Sequence, residues 1–128
     1  MGSKTGDSMS DRRRMAVNKI GDLAIVRFSD RKIVDSANIE EMGEEMFSLV
    51  DKDKCKDVLL NFDGVEFMSS AALNKLILMD KRVKGAQGKL RLCNLRAEIL
   101  EVFTITRLNR VFDIKKSEAE ALKAFGVG

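Results

Sequence analysis

Ser69 and Ser70 close the block Phe62-Asp63-Gly64-Val65-Glu66-Phe67-Met68-Ser69-Ser70-Ala71-Ala72-Leu73, where an apolar strand pattern gives way to a helical one. A hydroxyl at the start of a helix can do two kinds of chemistry. It can accept a hydrogen bond from a backbone N–H that has no partner inside the helix. Once phosphorylated, it can instead set a phosphate against those N–H groups and the positive end of the helix dipole. Local chemistry leaves both open to this pair. Asp63 and Glu66, just upstream, are two carboxylates that do acid/base work only where a cleft drives their pKa values apart; in a loop they face water. Gly85-Ala86-Gln87-Gly88-Lys89 has glycines and a lysine but not the Gly-x-x-x-x-Gly-Lys-Ser/Thr spacing of a phosphate loop, and reads as a helix-to-strand turn.

Histidine is absent from all 128 residues, which removes Ser-His and Cys-His nucleophilic pairs and the usual general base near neutral pH. Cys55 and Cys93 stand far apart, with no Cys-x-x-Cys and no histidine to complete a zinc site. Reduced structural thiols are expected, and neither a metal nor another cofactor. The 23 basic and 20 acidic residues are mixed along the chain, and the one dense basic run is Arg12-Arg13-Arg14. There is no Trp or Tyr, and the seven Phe sit inside apolar patterns, so the basic face and stacking platforms of nucleic-acid binding are missing.

The elements that must position the Ser pair follow from periodicity. Val17 to Ile20 and Leu23 to Phe28 are apolar-rich runs around Gly21-Asp22, a dipeptide that turns a hairpin. Asp35-Ser36 offers a cap for a first helix in which Ile39, Met42, Gly43, Met46 and Val50 recur at three- and four-residue spacing, with Glu40 and Glu41 near its positive end. Val58-Leu59-Leu60-Asn61-Phe62 is the pattern of a central strand buried on both faces. A second helix is predicted over 70–84. Ala72, Leu73, Leu76, Ile77 and Val83 form its stripe, Lys75 and Arg82 lie near the opposite side, and Leu78 falls off the stripe, available to a partner.

Lys89 to Cys93 alternates as a strand, Asn94 is expected to cap a third helix carrying Ile99, Val102 and Phe103, and Val111 to Ile114 is a candidate edge strand. Ser117-Glu118-Ala119-Glu120 has the form of a capping box ahead of Ala121, Leu122 and Phe125, with Gly126 as the stop. This order predicts an α/β domain: a mixed, mostly parallel sheet of four or five strands begun by an N-terminal hairpin, with about four helices packed on it. Residues 1–14, polar and aperiodic, are expected to form a disordered leader, and 15–128 the domain. No apolar run approaches the roughly 20 residues that span a bilayer, and the N-terminus lacks the apolar middle of a signal peptide. Membrane insertion is therefore not expected, and the expected location is cytoplasmic.

The Phe62–Leu73 block, the basic helix after it, the turn from Gly85 to Lys89, and Leu92-Cys93-Asn94-Leu95 through Val102-Phe103-Thr104-Ile105-Thr106-Arg107-Leu108 resemble the STAS domain of the anti-sigma-factor antagonist family. The similarity runs over roughly Val17 to Phe125. In that family an apolar pair is followed by Asp-Ser-Ser/Thr-Gly-Leu, and the Ser directly after the Asp is phosphorylated by a partner anti-sigma factor kinase. Phe67-Met68 matches the apolar pair, Ser70 the phosphoacceptor and Leu73 the Leu. Ser69 stands in place of the Asp, and Ala71 and Ala72 in place of the next hydroxyl and the Gly. The Ala72 methyl is expected beside the backbone where a kinase approaches. Asp35 corresponds to an acidic residue that lies near the site in relatives.

The resemblance implies a single STAS-like domain that regulates by binding and is not an enzyme. It implies phosphorylation of Ser70, or secondarily Ser69, within a partner surface of Asp35, Ser69, Ser70, Ala71, Asn74 and Leu78. The implied partners are an anti-sigma factor of the GHKL serine kinase type and a PP2C-type phosphatase, for a protein that is a monomer or weak dimer. A constitutive STAS scaffold in a signalling or transporter complex is the alternative it carries.

Overall fold

The apolar run Val58 to Leu60 lies at the middle of the sheet, fully buried, because both of its faces are covered. The computed structural model of the protein describes residues 14–127. In chain order its elements are β1 (Met15–Ile20), β2 (Leu23–Phe28), β3 (Lys32–Ile33), α1 (Ser36–Asp51), β4 (Asp57–Asn61), β5 (Phe67–Met68), α2 (Ser70–Gly85), β6 (Leu90–Cys93), α3 (Ala97–Ile105), a 3-10 turn (Leu108–Arg110), β7 (Asp113–Lys115) and α4 (Glu118–Ala124). Five strands form the main sheet in the order β1-β2-β4-β6-β7. β1 and β2 are antiparallel around Gly21 at φ 58°, and the remaining neighbours are parallel. The predicted α/β domain, with a mixed sheet, an N-terminal hairpin and four helices among the described residues, is what the chain forms.

Side chains alternate across the sheet as the strand period requires. Ala24, Val26, Val58, Leu60, Leu90 and Leu92 face α1, α2 and α3, whose Met42, Met46, Leu76, Met79, Ile99 and Phe103 complete the larger core. Leu23, Ile25, Leu59 and Cys93 face the other way and are covered by Ala121, Leu122 and Phe125 at and just beyond α4. Met42, Met46 and Met79 are core filler, as unbranched side chains suit an irregular helix-to-sheet gap.

Several expectations are corrected. β1 begins at Met15, two residues early, because Arg14 is tied down by both its backbone and its side chain. Its N–H donates to Glu45, its Nε to Glu41 at 2.9 Å and its Nη1 to Asp30 at 3.1 Å, while its carbonyl accepts from Ser29 N–H. Residues 1–13 of the expected leader lie outside the described residues.

Asn94 does not cap α3. It takes the left-handed conformation at φ 58° that turns the chain out of β6, and Arg96 precedes α3 without a side-chain cap. Val102 is exposed rather than buried, since Ile99 and Phe103 already fill that side of α3. β7 starts at Asp113, after the 3-10 turn has consumed Val111 and placed Phe112 against Phe103, ring centroids 5.7 Å apart. Lys75 is not on the outer side of α2. Its side chain runs over Gly43 of α1, where an added Cβ would come within 3.0 Å of Lys75 Cδ, and its Nζ pairs with Glu40 at 3.1 Å.

Gly88 packs directly against another stretch of backbone. A Cβ built there would lie 1.6 Å from the carbonyl oxygen of Lys56, which is backbone that cannot step aside. Gly88→Ala is therefore expected to cost roughly 3 kcal/mol of stability, at the upper end of ordinary point mutations, in urea unfolding. Cys55 and Cys93 are both buried and form no disulfide. Burial pushes the Cys93 thiol up to about 12, with the negative charge of Glu118 adding to the shift. Since the thiolate is the reactive form, Cys93 is expected to resist alkylation in the folded protein at mildly alkaline pH and to react once the chain is unfolded, as read by peptide mass mapping.

Candidate functional site

The path to the Ser pair starts at the end of β4. Asn61 is buried, and its amide oxygen accepts from Asp63 N–H at 2.9 Å and from Asn94 Nδ2 at 3.0 Å, while its Nδ2 donates to Glu118 at 2.8 Å. One side chain thus fixes the turn after β4 to the turn after β6. Gly64 at φ 89° completes the bend, Val65 N–H returns to Phe62 O, and Val65 is buried as a plug. The chain then runs beside β3: Lys32 aligns with Phe67 and Ile33 with Met68 in a two-residue parallel ladder, which Ser69 N–H extends by donating to Ile33 O at 3.0 Å.

The two serines have different positions. Ser69 is the N-cap of α2: its backbone is extended, and its Oγ accepts from Ala72 N–H at 3.3 Å. Ser70 is the first helical residue, exposed, and its hydroxyl makes no hydrogen bond among the described residues. Ala71, Asn74 and Leu78 are exposed on the same helix face, at three- and four-residue spacing from one another. Ala72 is fully buried, so its methyl enters the core and does not stand where a kinase would approach. Asp35 is the exposed N-cap of α1, its Oδ1 accepting from Asn38 N–H at 3.0 Å. Because β3 and β5 are parallel and each leads into a helix, α1 and α2 start side by side, and Lys75–Glu40 bridges them further along.

Electrostatics separate Glu66 from an acid/base role. Arg31 forms an ion pair with it, and the hydrogen bond from that guanidinium holds its carboxyl below the ordinary value. Glu66 is thus a fixed anion with its own counter-ion, while Asp63 is exposed. Among the described residues no three His, Cys, Asp or Glu side chains are grouped to hold a metal ion. Among the described residues no helix is long and apolar enough to cross a membrane.

Two surface residues were missed in the sequence. Val34, just after β3, is 49% exposed and Phe67 of β5 53% exposed, and they flank the Ser pair. In a two-residue strand with Met68 inward, Phe67 has to face outward. That alternation was the available signal.

A family model described as STAS domain matches residues 14–121. The chain belongs to the STAS domain family. BtrV of Bordetella bronchiseptica, which carries the name of an anti-sigma factor antagonist, is 34% identical over 93 residues, spanning 73% of this chain and 79% of that protein. A Thermotoga maritima structure assigned as an anti-sigma factor antagonist matches with a TM-score of 0.79 at 17% identity, covering 91% of this chain and 97% of the other. Bacillus SpoIIAA in its phosphorylated form matches at 0.68 and 15% identity, over 87% and 98% of the two chains. The STAS domain seen here therefore has the fold of anti-sigma-factor antagonists, and the resemblance read from the Phe62–Leu73 block holds for the whole domain.

Within this STAS domain, position 69 is a cap, and both Asp and Ser are strong N-caps. The replacement of the family's Asp by Ser69 thus keeps the helix start while removing a charge beside Ser70. Ser69→Ala is expected to destabilise the protein by about 1 kcal/mol in denaturant unfolding, and Ser69→Asp to retain that stability.

Proposed function

We propose that this STAS domain is an anti-sigma-factor antagonist of the cytoplasm, a regulatory binding module without catalytic activity that a serine kinase switches through Ser70. The surface at the start of α2 is the docking face: Ser70, Ala71, Asn74 and Leu78 on the helix, with Asp35, Ser69 and the exposed rings and methyls of Phe67 and Val34 around them. Its partner is an anti-sigma factor of the GHKL kinase type, from which docking releases the sigma factor. A PP2C-type phosphatase reverses the modification, and the free protein is a monomer or weak dimer.

The single observation that carries the switch is the division of labour between the serines. Ser69 holds the helix cap, so Ser70 can be modified without breaking the helix start. In the reaction the Ser70 Oγ takes the γ-phosphoryl group of ATP, ADP leaves, and the hydroxyl proton passes to a base on the kinase. The phosphate adds a charge of about −1.5 to −2 in the centre of the docking face, where a close-packed partner has to desolvate it. The neighbouring helix N–H groups tolerate the phosphate, so the effect falls on the complex rather than on the fold. SpoIIAA, a structural neighbour of the same fold, is known in a phosphorylated form.

Incubation with the cognate anti-sigma factor and ATP is expected to add one phosphate to wild type and to Ser69→Ala, and none to Ser70→Ala, by intact mass. Ser70→Asp is expected to weaken capture of that anti-sigma factor at least tenfold, a change of about 1.4 kcal/mol. Equal capture of wild type and Ser70→Asp would sink the switch and leave a constitutive scaffold.

A further inference from the structure

At the opposite end of the sheet from Ser70, three cations meet in one small cavity. Lys56 precedes β4, Gln87 and Lys89 precede β6, and Arg91 lies within β6; with Asp57, Ala124 and Phe125 they line a cavity of about 250 Å3. Among the described residues neither Lys56 nor Lys89 has a carboxylate partner for its ammonium group. Asp57, the only carboxylate in the lining, is held through Oδ1 by Lys89 N–H at 2.9 Å.

Arg91 is only partly satisfied. Its Nε donates to Asp113 at 2.7 Å and its guanidinium lies 4.5 Å from the centroid of the Phe125 ring, yet Nη1 is buried with no hydrogen-bond partner. A buried donor in that condition carries an uncompensated desolvation cost, and it is relieved by whatever acceptor reaches it. Phe125, the residue just after α4, lies over this guanidinium and lines the same cavity.

We propose that this cavity is a binding site for a small phosphate-bearing anion, either inorganic phosphate or a short phosphomonoester. The two lysines without carboxylate partners face Asp57 alone, an excess of positive charge that suits an anion, and Arg91, paired through Nε with Asp113, keeps an unpartnered Nη1 donor for a phosphate oxygen. The volume lies below the roughly 300–1,000 Å3 of pockets for drug-sized ligands, which suits a phosphate with a few further atoms. Gly88 is what brings the two lysines together. Only a residue without Cβ lets the chain before β6 pass against the carbonyl of Lys56. The site lies where β4 and β6 begin and the Ser70 surface follows where they end, so it stands or falls independently of the proposed switch.

Amide NMR titration of the full chain tests it, with inorganic phosphate and glycerol 3-phosphate in separate arms and chloride at matched ionic strength as control. The expected result is saturable shifts at Lys56, Gln87 to Arg91 and Phe125, with binding at least tenfold weaker in Lys56→Ala and Lys89→Ala. Both lysines are exposed, so both variants keep a folded spectrum. Tighter binding of glycerol 3-phosphate assigns the site to a phosphomonoester, and tighter binding of inorganic phosphate assigns it to the free ion. Shifts that do not saturate, shifts centred on Ser69 to Ala72, or affinity unchanged in both lysine variants overturn the proposal and mean an adventitious ion only.

Discussion

Burial of β4 on both faces is the constraint that the rest of this STAS domain follows. Val58, Leu59 and Leu60 are fully inaccessible, between β2 and β6 in the sheet and between two helical layers across it. Each such side chain contributes about 1.5–3 kcal/mol when removed from water, and a one-residue slip would exchange the faces of all of them. The exit point of β4 is therefore fixed, and with it the position of Asn61. That buried amide holds the turn that delivers Val65, Phe67 and the Ser pair to the end of the sheet. The proposed docking surface inherits its precision from that core.

The second control is the short ladder of β3 with β5. Two parallel residues and one further hydrogen bond, from Ser69 N–H to Ile33 O, add little stability by themselves. Their effect is geometric, because they align the starts of α1 and α2. With the helix positive ends adjacent, the region suits acceptors at Asp35 and Ser69, and each is occupied as a cap. Ser70 then keeps its hydroxyl free of hydrogen bonds among the described residues, on a helix start beside exposed apolar surface. The fixed charge nearby, Glu66, is balanced by Arg31.

The two ends of the sheet carry opposite kinds of chemistry. Where the strands leave, two helix starts carry small polar side chains beside exposed apolar ones, the face proposed for a protein partner. Where they enter, close backbone packing at Gly88 concentrates cations around a small cavity. The other face of the sheet links them, since Glu118 of α4 holds Arg27 and Asn61 near one end while Phe125 lies over Arg91 towards the other.

Much of this was legible in the residues alone. Period-two and period-3.6 patterns located the hairpin, the central strand and the four helices, because burial of apolar side chains leaves its period in the chain. The Phe62–Leu73 block identified the family and put a Ser pair at a helix start. What the residues could not decide was which serine caps, since one position of offset separates a cap from the first helical residue. They also gave no sign of where Asn94, Lys75 and Val102 point. Asn94 turned left-handed because β6 ends against Asn61, and Lys75 lay inward because Gly43 on another helix leaves it a groove. The cation cavity depends on an approach between residues 56 and 88, which are distant in the chain. By itself the sequence determined the periods, the breaks and the chemical groups. Only the tertiary structure decided which groups meet, because contacts between distant segments depend on the packing of the whole core and not on local pattern.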